Sequence, residues 1–90
     1  MLERNKLIIS GKVQGVFFRK FIYENAVKFG LKGYVKNTEE GNVEAVFEGE
    51  KEKIKEMIDF CRKGPEKARV ENIKIIKEKF QNEKIFRRAN

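Results

Sequence analysis

The fold is decided by residues 7–30, which read LIISGKVQGVFFRKFIYENAVKFG. Up to Val13, apolar and polar side chains alternate, as they do in a strand with one buried face. From Phe18 the apolar side chains recur every three or four positions, and this pattern is typical of an amphipathic helix that stops at Gly30. The period changes at Gly15. The stretch therefore predicts a strand, a tight loop and a helix in succession.

Four longer elements are predicted after this helix. Alternating residues indicate strands over 31–37 and 43–48, joined by a turn over 37–41 that contains a glycine. An apolar stripe at helical spacing indicates a helix over 50–63, and the following Gly-Pro pair ends it. Residues 68–75 indicate a fourth strand.

Two irregularities and one short strand complete the prediction. Gly11 leaves a gap in the apolar face of the first strand, and the alternation of the fourth strand changes phase at Asn72. Both features are typical of a β-bulge. The pair Ile85-Phe86 suggests a short terminal strand, and residues 79–90 otherwise carry no pattern that indicates a role.

The element order is β-α-β-β-α-β, which predicts one α+β domain over residues 1–90 with the ferredoxin-like sandwich, an antiparallel sheet with two helices on one face. A helix joins the first two strands, so they run parallel, and the third strand lies between them. Their carboxyl ends then share one edge of the sheet. We therefore expect the loop 14–19 and the turn 37–41 to be neighbours.

Composition excludes several classes of chemistry. The 90 residues include one cysteine, Cys61, and no histidine. This excludes an internal disulfide, a thiolate zinc cluster and catalysis by a histidine base. On its helical stripe, Cys61 is expected to be a core residue. No apolar run approaches the ~18 residues of a membrane span, and the first residues are too polar for a signal peptide, so we expect a cytoplasmic protein.

The net charge of +7 is unevenly distributed. Residues 1–36 and 61–90 are basic, whereas residues 37–60 are acidic. Basic blocks favour anionic partners, either nucleic acid or a phosphorylated small molecule, although a Lys/Glu-rich surface is an equally good explanation. The abundance of Lys and Glu is also typical of heat-adapted proteins.

The loop 14–19 has the properties of a phosphate site. It leads from a strand into a helix start, where unpaired N–H groups and the helix dipole favour anions. Gly15 allows backbone amides to converge. Arg19 is unfavourable beside the positive end of the dipole unless an anion lies between them, and it can bind that anion through two donors. An ordinary connection with an exposed arginine is the alternative.

These residues resemble the acylphosphatase family. Residues 10–19, SGKVQGVFFR, are similar to its signature G-x-V-Q-G-V-x-F-R, and residues 33–49 resemble its second signature. Residues 64–70 look like its later Gly-Pro…Ala-x-Val stretch. The resemblance extends over residues 7–88, nearly the whole chain.

The resemblance implies hydrolysis of acyl phosphates to a carboxylate and inorganic phosphate, which also inhibits. It implies that Arg19 binds the phosphate and that Asn37 orients the attacking water. Without the resemblance, Asn37 is better explained as a residue that starts the turn. The phosphate cradle is assigned to the backbone amides of Gly15, Val16, Phe17, Phe18 and Arg19. The family requires no metal or organic cofactor, and a monomer that binds a small molecule, without nucleic acid or membrane, is expected.

Three other functions fit the fold less well. An RNA-recognition module would read bases on the open sheet face, but its aromatic motif is missing and the third strand presents Glu44, Val46 and Glu48 there. A silent regulatory domain is disfavoured because Arg19 and Asn37 are present. The front domain of a larger maturation protein is similar, but the absence of further cysteine motifs favours a standalone enzyme.

Overall fold

The structure, a computed structural model, describes residues 1–89. Its elements in chain order are β1 (Leu2–Lys12), α1 (Phe18–Lys28), β2 (Lys32–Asn37), β3 (Val43–Glu50), α2 (Lys51–Lys63), β4 (Arg69–Glu78) and β5 (Phe86–Arg88). The predicted order is confirmed. The strands β1, β3 and β4 extend beyond the alternating residues from which they were predicted. None of the helices within this range is long and apolar enough to cross a membrane.

The five strands form one sheet in the order β4-β1-β3-β2-β5. As predicted, β3 lies between β1 and β2 and is antiparallel to both. The expectation of an entirely antiparallel sheet is wrong for β5, which pairs with β2 in parallel. Because β4 and β5 occupy opposite edges of the sheet, residues 79–85 must cross from one edge to the other. β5 then runs in the same direction as its neighbour β2.

The apolar core lies between the sheet and the two helices. Leu7, Ile9 and Val13 from β1 and its end face the helices, as the alternation predicts. They are covered by apolar side chains from both helices, which include Phe18, Ile22, Ala26, Ile54, Met57 and Cys61. Burial raises the pKa of the Cys61 thiol, so this cysteine is an inert core residue.

A bulge separates the pairing of β1 and β4 into two registers. Ser10 pairs with Asn72, but Gly11 pairs with Val70, so one residue of β4 is left over. The predicted irregularities at Gly11 and Asn72 are thus the two sides of one bulge. Gly11 has φ of 123°, and a Cβ there would collide with the carbonyl oxygen of Arg69, so only glycine fits.

The sheet face opposite the helices carries a buried ionic cluster. Arg4 is 6% exposed and donates to Glu48, Glu78 and Glu83 at 3.1, 2.8 and 3.0 Å. Glu48, which is 1% exposed, also accepts the backbone N–H groups of Gln81 and Glu83 at 2.6 and 2.7 Å. These contacts hold residues 79–85 across β3. Val46 and Glu48, which the alternation places on the face away from the helices, are therefore buried rather than exposed.

The cluster holds Glu48 in its charged form. Burial raises the pKa of Glu48, but the hydrogen bonds from Gln81, Glu83 and Arg4 outweigh burial and lower it below its ordinary value. Burial alone would lower the pKa of Arg4, and its carboxylate partners raise it instead. The hydrogen bond from Arg4 is the main cause of the lowered pKa of Glu78.

Candidate active site

The loop after β1 and the turn after β2 are joined by one side chain. The amide nitrogen Nε2 of Gln14 donates to the carbonyl oxygens of Thr38 and Asn42 at 2.9 and 2.8 Å. The hydroxyl of Thr38 accepts the N–H of Asn42 at 3.1 Å, which closes the turn. The proximity predicted from the crossover is confirmed, and Gln14 fixes the distance between the two segments.

The loop that leads into α1 is curled by two residues in the left-handed region. Gly15 has φ of 72° and Phe17 has φ of 65°. A Cβ at Gly15 would meet no atom within 4 Å, so glycine is needed here for its conformation and not for space. Left-handed residues in such a loop turn successive N–H groups toward one concave side, an arrangement that binds anions.

The start of α1 leaves its donors available. Phe17 caps the helix without a side-chain hydrogen bond, and its carbonyl accepts the N–H of Phe21 at 3.0 Å. Among residues 1–89, no acceptor is seen for the backbone N–H groups of Gly15, Val16, Phe17 and Phe18. Together with the helix dipole, these donors make the loop a favourable place for a dianion.

Arg19 lies in the first turn of α1 and is half-buried. Its Nη1 donates to the carbonyl oxygen of Ala89 at 3.3 Å. The backbone N–H of Ala89 in turn donates to the carbonyl of Val35 in β2 at 2.8 Å. The guanidinium is thus oriented by the sheet edge rather than held only by its own flexible chain.

Asn37 is the last residue of β2, and its side-chain oxygen lies buried. Oδ1 is buried, and no donor within residues 1–89 hydrogen-bonds to it. A buried acceptor without a partner costs about 1–3 kcal/mol, so such groups usually mark a place for a water or a ligand. Oδ1 of Asn37 is well suited to accept a hydrogen bond from a bound water.

These groups surround one cavity of about 280 Å³. Its lining includes four of the residues predicted for the phosphate cradle and the predicted water-orienting asparagine: Gly15, Phe17, Phe18, Arg19 and Asn37. Val16 is the exception, since its side chain is buried in the core and it does not line the cavity. Any part that Val16 plays must come from its backbone N–H.

Comparison with known proteins identifies the family. The family model of the acylphosphatases matches residues 5–88, nearly the whole chain. This chain belongs to the acylphosphatase family. The acylphosphatase of Syntrophus aciditrophicus (strain SB) is 42% identical over 83 residues, which cover 92% of this chain and 86% of that protein. Membership makes the chain a hydrolase of acyl phosphates, as the resemblance implied.

Solved structures confirm the fold. The crystal structure of acylphosphatase from Bacillus subtilis superposes with a TM-score of 0.95 at 30% identity, and each chain is covered completely. The structure of T. kodakarensis HypF matches with a TM-score of 0.85 at 33% identity over 100% of this chain but only 12% of that one. The acylphosphatase fold thus also occurs as a small part of a much longer protein.

Two residues at the site of this acylphosphatase were not predicted. Arg88, on β5, lines the cavity, and Ala89 accepts from Arg19. The two consecutive arginines at 87 and 88, which follow the apolar pair Ile85-Phe86, were the only hint in the sequence. No alternation of apolar and polar residues in this short stretch indicated that it lies near the site. Lys20, in the first turn of α1, also lines the cavity.

Proposed function

We propose that Arg19 and the loop amides bind the phosphate of an acyl phosphate and that Asn37 positions the water that attacks it. One observation carries the proposal. Gly15, Phe17, Phe18, Arg19 and Asn37 line one cavity at the carboxyl ends of two parallel strands. Within residues 1–89, the loop N–H groups and the buried Oδ1 of Asn37 have no hydrogen-bond partner.

The phosphate is held by charge and by directed donors. The dianion lies against the N–H groups of the loop, at the positive end of α1, and Arg19 contacts two of its oxygens. Lys20 and Arg88 at the cavity wall add positive charge that favours entry of an anion. Charge on the non-bridging oxygens in the transition state is stabilised by the same groups.

Asn37 supplies the second half of the reaction. Its Oδ1 accepts a hydrogen bond from the water, which leaves a lone pair directed at phosphorus. The water oxygen bonds to phosphorus as the bond between phosphorus and the bridging oxygen breaks, and that electron pair leaves on the carboxylate. One water proton stays on the attacking oxygen and the other passes to a phosphate oxygen, giving dihydrogen phosphate. A carboxylate is a good leaving group, so no general acid is required.

We also propose that the protein acts as a monomer on a small molecule rather than on nucleic acid. RNA-recognition modules of this fold need an open sheet face. Here residues 79–85 cross that face, and the carboxylate of Glu48 faces the same side. The compact cavity around Arg19 fits a phosphoryl group.

Hydrolysis of benzoyl phosphate in the presence of a metal chelator tests the proposal. We expect turnover well above the spontaneous rate, unaffected by the chelator and inhibited competitively by inorganic phosphate. A rate equal to the spontaneous one at every temperature up to unfolding would exclude this function. Dependence on an added divalent cation would exclude the mechanism.

A further inference from the structure

Phe17 is unfavourably placed for folding. Its side chain is 76% exposed, so its ring gains almost nothing from burial. Its φ of 65° lies in the left-handed region, where a side chain beyond glycine costs about 1–2 kcal/mol. An exposed ring on a strained backbone is unexplained by the packing of the protein. Such outliers concentrate at sites where a ligand is bound.

The exposed ring connects two concave surfaces. Phe17 and Lys20 line the phosphate cavity, and the same two residues line a shallow groove of about 320 Å³. We call this surface the Phe17 groove, and its other residues are Phe21, Glu24 and Pro65. The phosphate cavity therefore opens beside a wall made of two phenyl rings and a proline ring.

The chemistry of the substrate determines what can occupy that groove. In an acyl phosphate a single bridging oxygen joins the carbonyl carbon to phosphorus. A phosphate bound at the loop amides must therefore extend its acyl group from the cavity mouth, next to Phe17. Lys20 and Glu24 balance each other in charge, so the groove has no preference for an ionised acyl group. Its rings favour flat apolar groups, which stack on them.

We infer that the Phe17 groove is the acyl-binding subsite and that it selects aromatic over small aliphatic acyl phosphates. The inference rests on the proposed function, because the phosphate must first be bound at the loop. The ring of Phe17 contacts the aromatic acyl group, and that contact offsets the exposure and strain of the residue. Phe17 then has two separate roles, with its backbone N–H directed at phosphate and its side chain at the acyl group.

The test compares kcat/KM for benzoyl phosphate and acetyl phosphate in matched variants. Phe17→Gly removes the ring and tolerates the left-handed backbone, whereas Phe17→Leu keeps an apolar side chain without a ring. Phe80→Ala is the control, since Phe80 is partly exposed and lies outside the lining of both the cavity and the groove. We expect Phe17→Gly to lower the benzoyl-to-acetyl ratio about tenfold, the loss of one aromatic contact, and Phe80→Ala to leave the ratio unchanged.

The outcomes separate this inference from the proposed function. If the wild-type protein hydrolyses neither substrate, the proposed function fails. If it hydrolyses both, and Phe17→Gly lowers the two values equally, Phe17 only shapes the loop and the subsite is disproved. An intermediate ratio in Phe17→Leu supports stacking, whereas a ratio equal to wild type shows that apolar area alone is responsible and overturns the stacking of the acyl group on the Phe17 ring.

Discussion

Arg19 donates to the carbonyl oxygen of Ala89 at 3.3 Å, which links the first turn of α1 to the residue that follows β5. The acceptor is itself fixed, because Ala89 donates to Val35 at the sheet edge. A guanidinium that donates to a fixed carbonyl has fewer accessible rotamers, so its position at the cavity wall is better defined. The sheet edge therefore pre-organises the cation to which the proposed mechanism assigns phosphate binding.

Replacing Arg19 should damage both binding and turnover. We expect Arg19→Ala to reduce kcat about 100-fold or more and to weaken inhibition by inorganic phosphate, since it removes donors to the phosphoryl oxygens. Arg19→Lys should restore little of the activity, because an ammonium lacks the planar pair of donors of a guanidinium. Steady-state kinetics with benzoyl phosphate measure both effects. Arg62→Ala, an exposed arginine of α2, is the control, and full activity in Arg19→Lys would contradict the bidentate role.

Replacing Asn37 should affect turnover alone. Asn37→Ala removes the acceptor for the attacking water but leaves the phosphate donors, so kcat should fall about 100-fold while the inhibition constant of phosphate changes by less than about threefold. Asn72→Ala, in the exposed bulge of β4, should behave as wild type. Weak phosphate binding with normal turnover in Asn37→Ala would show that the two roles are assigned the wrong way round.

Replacing Gln14 should lower both the stability and the activity of the protein. Gln14→Glu keeps the length of the side chain but lacks the NH₂ that donates to Thr38 and Asn42. Losing two hydrogen bonds should lower the free energy of unfolding by about 1–3 kcal/mol. Because the phosphate loop and Asn37 are then free to separate, kcat/KM should fall about tenfold at temperatures where the variant is folded. Denaturant unfolding and kinetics on the same samples measure the two losses, and unchanged kinetics would show that the turn holds Asn37 without Gln14.

The ionic cluster should make stability fall in acid. The pKa values of Glu48 and Glu78 are lowered in the folded protein, so the unfolded chain binds more protons at low pH. The stabilisation is complete above the pKa of an unfolded Glu, about 4.3, and is lost as the pH falls below it through the folded values. Unfolding in urea between neutral pH and pH 3 measures this decline.

Glu48→Gln identifies the group responsible. It leaves Arg4 without one buried partner, so the free energy of unfolding at neutral pH should drop by about 3 kcal/mol. Its decline in acid should also be shallower than in wild type. Glu56→Gln, an exposed residue of α2, is the control. An acid dependence identical in Glu48→Gln and wild type would assign the effect to other carboxylates.

Local periodicity and chain connectivity predict most of the fold and bring the loop 14–19 next to the turn after β2, whereas the proposed role of Asn37 follows only from the resemblance to the family. The change of period between Val13 and Phe18 placed β1 and α1, and the crossover brought Gln14 next to the turn after Asn37. The bulge was visible because a slip in alternation is a local signal. Each of these features depends on residues close together in the chain or on a general rule of strand connection.

The C-terminal part could not be predicted in the same way. Residues 79–85 are held by hydrogen bonds to Glu48, which lies more than thirty positions earlier. The alternation of apolar and polar residues along a chain carries no information about a contact between such distant positions. Glu48 and Arg4 have the appearance of solvent-facing charges on an alternating strand, and only the crossing segment makes them buried partners. The contact between Arg19 and Ala89 depends on the path of residues 79–85 across the sheet, so it could not be predicted either.

The separation of 70 positions between Arg19 and its acceptor has a consequence for biosynthesis. A growing chain exposes α1 to solvent long before β5 has been made, and the sheet that orients the arginine needs pairings between distant segments, which form slowly. A partly translated chain therefore carries the phosphate loop without the edge that directs its guanidinium. In the proposed mechanism, the oriented Arg19 is therefore a property of the complete sheet rather than of the loop motif alone.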